Sequence, residues 1–462
     1  MTPLRIFLLS LATAVPAIVW GGPPHHDWHP ERLQADYWIA RWPDADRVVL
    51  DAGAVAAGNA RLMAEDTSVR DLTLGPLRLS GAVVERMVTA RSKLPTGSLF
   101  IAGGREVLEA DRQSWHNSLA IDTIPAEIEP RWGLVVHRAA VRRFPTATRV
   151  STTSDDTDID CFQESALFPG MPVAIVHTSR DGRWAYVLAS NYDGWVADES
   201  IACGSREKVL DYASRPGRMI TAAQARTVFT PAEPTLSQLL LDMGTLVPDE
   251  PDWPRDKGVN GQGSVAAHVL MLPVRDASGQ LALRPALLPW AADSHPGPLP
   301  ASRANLLRQV FKFVGERYGW GSDFEARDCS GLACDAYRSL GILLPRNSRD
   351  QAVSPAFERT GIGADWGRAR RLAVLATTAP GDLLYVPGHV MMVVGHESGV
   401  PWIIHDTHEG RDSVADTGSR GMTNGVVVVP LIPSSRSNGP DAVEQLTAVQ
   451  RVLPVPGPPA AP

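Results

Sequence analysis

Between residues 31 and 129 apolar positions recur at helical spacing, and the windows 52–65 and 81–92 each predict a helix, with Tyr37, Trp38 and Trp42 as aromatic anchors. This stretch reads as an accessory helical region. From 130 to 204 the pattern shortens. Apolar runs at 133–137, 171–178, 184–189 and 194–197, with turn signals at Asp181-Gly182 and Asp193-Gly194, predict a small antiparallel barrel. A weaker version over 205–289 has strands at 218–222, 225–229, 265–272 and 280–283 and a turn at Asp276-Ala-Ser-Gly279, so a second barrel is expected. Four prolines between 288 and 300 predict a linker over 290–302.

A last domain is expected over 303–431. Leu306, Leu307, Val310, Phe311 and Val314 lie at helical spacing, and the chain then breaks at Tyr318-Gly-Trp-Gly. A second helix should start at Asp328-Cys-Ser-Gly-Leu, with Asp328 as its N-cap, and stop near Gly341. Apolar strands are expected at 382–386, 389–394 and 402–408, the last two joined by a loop at Gly395-His-Glu-Ser-Gly399. The Ser-, Pro- and Gly-rich residues 432–462 predict a disordered tail.

Composition narrows the class. The chain has 462 residues with 44% hydrophobic and 21% charged positions, enough for several domains each with its own core. A net charge of −7, with no strongly basic half, excludes a phosphate-tracking nucleic-acid protein. The start, basic at Arg5 and apolar over 6–19, is too short to span a bilayer and reads as a secretory signal over 1–17, with cleavage after Ala17. No later window predicts a span, so the expected protein is exported, to the periplasm or beyond. His25, His26, Asp27 and His29 read as an exposed polar arm rather than a metal site.

Chemistry gathers in the last domain. Cys329 occupies the first turn of the predicted helix, where unpaired N–H groups and the positive end of the dipole favour a thiolate. Cys334, one turn deeper, reads as core. A disulfide between Cys329 and Cys334 would distort the helix, so both are expected reduced; Cys161 and Cys203 are either a disulfide or two separate buried thiols. If the five-residue loop closes a hairpin, His389 stands opposite His405, so one imidazole can take the Cys329 proton while the other fixes its tautomer. A one-residue slip would put them on opposite faces.

Taken in order, Tyr318-Gly-Trp-Gly, Asp328-Cys-Ser-Gly-Leu, Pro345-Arg-Asn-Ser-Arg-Asp-Gln, Pro380-Gly-Asp-Leu, Gly388-His-Val and His405 resemble the motif set of the NlpC-type cell-wall cysteine peptidases. The resemblance implies a multidomain chain: a papain-like α+β peptidase preceded by two SH3-like barrels and an N-terminal helical region. It implies Cys329, His389 and His405 as catalytic residues, with Tyr318, Asp328, Ser330, Asn347 and Ser348 around the oxyanion and substrate, and no metal or cofactor. Similar proteins cut the bond between γ-D-glutamate and a diamino acid in peptidoglycan stem peptides or muropeptides. Some of them hold the free amine of the substrate with an Asp where this chain has Asn347, which supplies no charge. The barrel next to the peptidase is expected to narrow substrate choice. Two other readings are a zinc hydrolase using His389, His405, His408 and Glu409, and a non-catalytic wall-binding protein.

Overall fold

The computed structural model describes residues 29–74, 78–101, 103–408, 424–431 and 442–455. The expected signal segment and the arm residues His25, His26 and Asp27 lie outside them. No helix among the described residues is long and apolar enough to cross a membrane.

The expected N-terminal helices form at Ala52–Glu65 and Gly81–Arg91, followed by a third at Glu109–Ser118. Asp51 caps the first by accepting the Ala54 N–H at 2.8 Å. These elements do not make a unit of their own. Val84, Val88 and Trp115 pack against the first barrel with Phe144, Phe162 and Trp195, whereas Trp38 is buried in the core of the last domain. Its ring lies 5.3 Å from that of Trp402, and a Cβ on Gly395 would come within 2.7 Å of it, so only glycine lets the two meet. Tyr37 donates to Glu397 at 2.5 Å, and Arg32 pairs with the same carboxylate at 2.9 Å.

The first barrel is a seven-stranded antiparallel sheet ordered Ile201–Gly204, Arg131–Val135, Pro172–Thr178, Trp184–Leu188, Asp193–Ala197, Ala139–Arg142, Gln163–Leu167. Val135, Val141, Val173, Val187 and Val196 fill it. Gly182, at φ +71°, makes the expected turn. The second expected turn is displaced. Asp193 opens a strand because its carboxylate accepts from Tyr186 at 2.5 Å and Arg70 at 2.8 Å, which removes it from local turn bonding.

The second barrel, three small antiparallel sheets around one core, is preceded by a helix, Arg206–Ser214, in a range expected to hold only strands and turns. Its core gathers Ile220, Leu241, Val247, Leu270, Leu272 and Leu288. The stretch 290–302 is not a linker. Ser294–Pro296 pairs with Arg218–Ile220, and Ala301–Ser302 pairs with Val48–Leu50. Proline is tolerated on an edge strand because the N–H it lacks would have faced away from the ladder.

The last domain sets a helix, Cys329–Arg338, against a six-stranded antiparallel sheet ordered Glu358–Gly361, Ala448–Arg451, Leu383–Val386, His389–Glu397, Val400–Thr407, Gly425–Pro430. The strand Ala448–Arg451 comes from the segment expected to be a disordered tail. Val443, Leu446, Val449, Val452 and Leu453 are all buried, an apolar set masked in the sequence by flanking Pro and Gly. The fold thus runs past 431. Each of these five side chains contributes about 1.5–3 kcal/mol on burial, a sum comparable with the roughly 5–15 kcal/mol stability of a domain. A chain ending at Leu431 is therefore expected to lose cooperative thermal unfolding by circular dichroism; an unchanged melt would show this strand to be dispensable.

The hairpin register also differs from expectation. Both strands extend to a two-residue turn, Ser398 and Gly399, each with positive φ, in place of the five-residue loop. Met392 pairs with Ile404 and Val393 with Ile403, so continuing this ladder sets His405 against Met391, one diagonal step from His389. The displacement is even, which keeps both histidines on one face.

Candidate active site

Asp328 caps the Cys329–Arg338 helix as expected, accepting the Gly331 N–H at 2.8 Å. Cys329 is its first residue and is nearly buried. The backbone N–H of Val390, the neighbour of His389, stabilises the thiolate of Cys329, but two stronger effects oppose it: burial first, then the charge of Asp328, which together push the thiol up to about 12. This corrects the expectation that the helix terminus would favour a resting thiolate.

His389 Nε2 lies 2.8 Å from His405 Nδ1, with the two rings edge to face. Burial brings His389 down to about 4 and His405 well below its ordinary value, so both are neutral. His405 Nε2 is buried without a partner. No hydrogen bond joins the Cys329 sulfur to either ring among the described residues, and such bonds are often long before substrate arrives. Asp406 follows His405 and is also fully buried with both oxygens unpartnered; burial, reinforced by Asp328, pushes its carboxyl well above the usual range.

A cleft of about 160 Å³ opens beside Cys329, and Tyr318, Asp328, Ser330, Asn347 and Ser348 all line it. Their situations differ. Asp328 and Ser330 are turned into a buried network around Arg346, which donates to Asp328 at 3.0 and 2.8 Å, to Ser330 at 2.9 Å and to Ser322 at 3.1 Å. Burial opposes the Asp328 charge, but Arg346 overrides it and holds the carboxyl below its ordinary value. Asn347 donates to Asp350 at 2.8 Å, Ser348 opens the short helix Ser348–Gln351, and the ring of Tyr318 lies 5.7 Å from that of His408. His408 points toward Asp158, at 3.7 Å, and Glu409 lies outside the described residues. Cys334 contacts the Pro345 carbonyl and Gln351 in the core, and all four cysteines are free thiols, which settles Cys161 and Cys203 as separate.

The opposite wall was not legible in the sequence. It comes from the first barrel, through Arg143, Gln163, Glu164 and Tyr192, and not from the second barrel, which precedes the peptidase in the chain. Gln163 donates to the Gly321 carbonyl at 3.0 Å and accepts from Trp320 at 3.0 Å on its own carbonyl, while Arg346 reaches Ser165 at 2.9 Å. The second barrel instead braces the back of the cysteine helix. Arg327 bonds Asp335 at 2.7 Å and the Ala223 carbonyl at 2.7 Å, and Arg338 bonds the Met243 carbonyl at 3.0 Å. Arg346 belongs to the Pro345-Arg-Asn-Ser motif and so carries a sequence signal; the barrel residues lie some 150 positions upstream with no local signal.

Residues 315–429 match the NlpC/P60 family, and residues 148–197 match an SH3 domain of the SH3b1 type. A search of the curated proteins found no match. Among solved structures, the chain is similar to an NlpC/P60 endopeptidase from Photobacterium damselae subsp. piscicida, with TM-score 0.68 and 19% identity over 86% of this chain and 89% of that one. It also matches an NlpC/P60 family protein from Bacillus cereus ATCC 10987, with TM-score 0.43 and 20% identity over 63% and 83%. The first likeness, at that identity, shows a shared fold across most of the chain. With the motif set and the cysteine helix on its sheet already in view, residues 315–429 are an NlpC/P60-family domain, carried behind an SH3 domain in a multidomain chain.

Proposed function

We propose that this chain is a cysteine endopeptidase that hydrolyses peptidoglycan stem peptides outside the cytoplasm, at the bond between γ-D-glutamate and a diamino acid. The observation that carries the reading is the placement of Cys329 at a capped helix terminus beside a strand whose first residue, His389, is hydrogen-bonded to His405. The contact at His389 Nε2 leaves Nδ1 to accept a proton. His405, accepting at its own Nδ1, holds His389 in that tautomer.

Because thiol and imidazole are both neutral at rest, proton transfer accompanies attack. His389 takes the thiol proton as the sulfur bonds to the scissile carbonyl carbon, and the oxyanion forms near the first-turn N–H groups of the cysteine helix, with Tyr318 alongside. The amine leaves with the proton from His389, and water, activated by the same ring, releases the acyl group.

Digestion of a synthetic L-Ala-γ-D-Glu-diamino acid peptide, with products weighed by mass spectrometry, tests the reading. Cleavage after γ-D-Glu is expected; products cut elsewhere, or none, would overturn it. His389→Ala should lose about 10²–10⁴-fold in kcat, the usual span of general-base removal. His405→Ala should lose less, because it only orients the base. Wild-type rates in both variants would remove the triad.

A further inference from the structure

We propose that the cleft selects stem peptides whose first amino group is acylated, as it is while the peptide hangs from a sugar's lactyl group, over peptides with a free ammonium terminus. This rests on the stem-peptide reading above.

The cleft carries two carboxylates among the described residues, Glu164 from the barrel and Asp328 from the peptidase. A carboxylate offers about four lone-pair sites. Glu164 has all of them engaged. One oxygen accepts from Arg143 Nε at 2.8 Å and Nη2 at 2.5 Å, and the other from Arg91 at 2.9 Å and Tyr192 at 2.7 Å. Asp328 is equally committed, to Arg346, Ser330 and the Gly331 N–H on one oxygen and to Arg346 and the Gly321 N–H on the other. Asn347 adds no charge.

Arg143 and Arg346 line the cleft and match its two carboxylates, while Arg91, outside the lining, is shared between Glu164 and Asp193 at 3.4 Å, so neither carboxylate keeps an unmatched charge for a ligand. An ammonium entering here would shed water and find no unengaged carboxylate to replace its hydration. A neutral amide meets none of these costs. Arg143, Trp320, Asn347, Ser348 and Gly388 all reach solvent, so the cleft is open to a substrate that continues beyond its first residue.

The test compares kcat/KM for the synthetic stem peptide and its N-acetylated twin on the full-length enzyme. The acetylated peptide is expected to be preferred about tenfold or more, the size of one unmatched charged hydrogen bond. Equal rates, or faster cleavage of the free peptide, would overturn the inference while leaving the peptidase reading intact. If neither peptide is cut, the peptidase reading falls and the inference with it. Arg143→Gln removes one of the two charges on Glu164 and the two hydrogen bonds on one of its oxygens, so the preference should shrink about threefold or more within that variant. An unchanged ratio would reject the arginines as its source.

Discussion

Cys329→Ala is expected to abolish hydrolysis, by about 10⁴-fold or more, with the fold intact. The sulfur is the atom assigned to form the covalent acyl intermediate, since the neighbouring Ser330 hydroxyl is held in the buried network around Arg346, and removal of a nucleophile typically leaves only the small residual rate supplied by binding and the oxyanion site. Stability should hardly move. The thiol fills little volume, is not paired in a disulfide, and sits where burial and the Asp328 charge already disfavour its ionised form. A melting temperature within a few degrees of wild type, measured beside a peptide-cleavage assay, checks both halves. Turnover near wild type would end the cysteine mechanism, and a collapsed melt would mean that Cys329 is chiefly a core residue.

Arg346→Met should lower both stability and activity. Its guanidinium is buried and satisfies Asp328, Ser330 and Ser322 while bonding Ser165 of the first barrel. Taking it away strands a buried carboxylate at the cap of the cysteine helix, which costs about 3–5 kcal/mol when one partner of such a pair is lost. It also unties the two walls of the cleft. Denaturant unfolding should show the loss, and a second substitution, Asp328→Asn, should recover most of it, since Asn still caps the helix and no longer needs a counter-charge. Activity should stay low in the double variant because the bond across to the barrel is still missing. A single variant as stable as wild type would show that Asp328 has another way to shed its charge.

How much of this was legible in the chain depends on the range of the interactions involved. The helix Ala52–Glu65, the Asp328 cap, the Cys329 position and the strand opening at His389 rest on spacing and on side-chain to backbone bonds within a few residues, so periodicity and capping residues reported them. The ordered motifs likewise pointed to the family. Register was harder. A two-residue turn at Ser398 and Gly399 with an irregularity beyond Val393 replaced the expected loop, and the histidines stayed together only because an even shift preserves the face.

Other features were decided by the tertiary structure alone. Ala448–Arg451 is a strand because Glu358–Gly361 and Leu383–Val386 leave a place between them, and Ser294–Pro296 is one because Arg218–Ile220 offers an edge; composition by itself reads both as loop. Burial, with the charge of Asp328 behind it, overrode the helix terminus at Cys329, and that burial is set by what packs over the sulfur. The far wall of the cleft is the largest such case. Glu164 meets Arg143 within the first barrel and Arg91 on the helix packed against it, and it shares a cleft with Cys329 only once that barrel docks on the peptidase, because a contact across so many residues leaves no periodic or local trace in the chain that makes it.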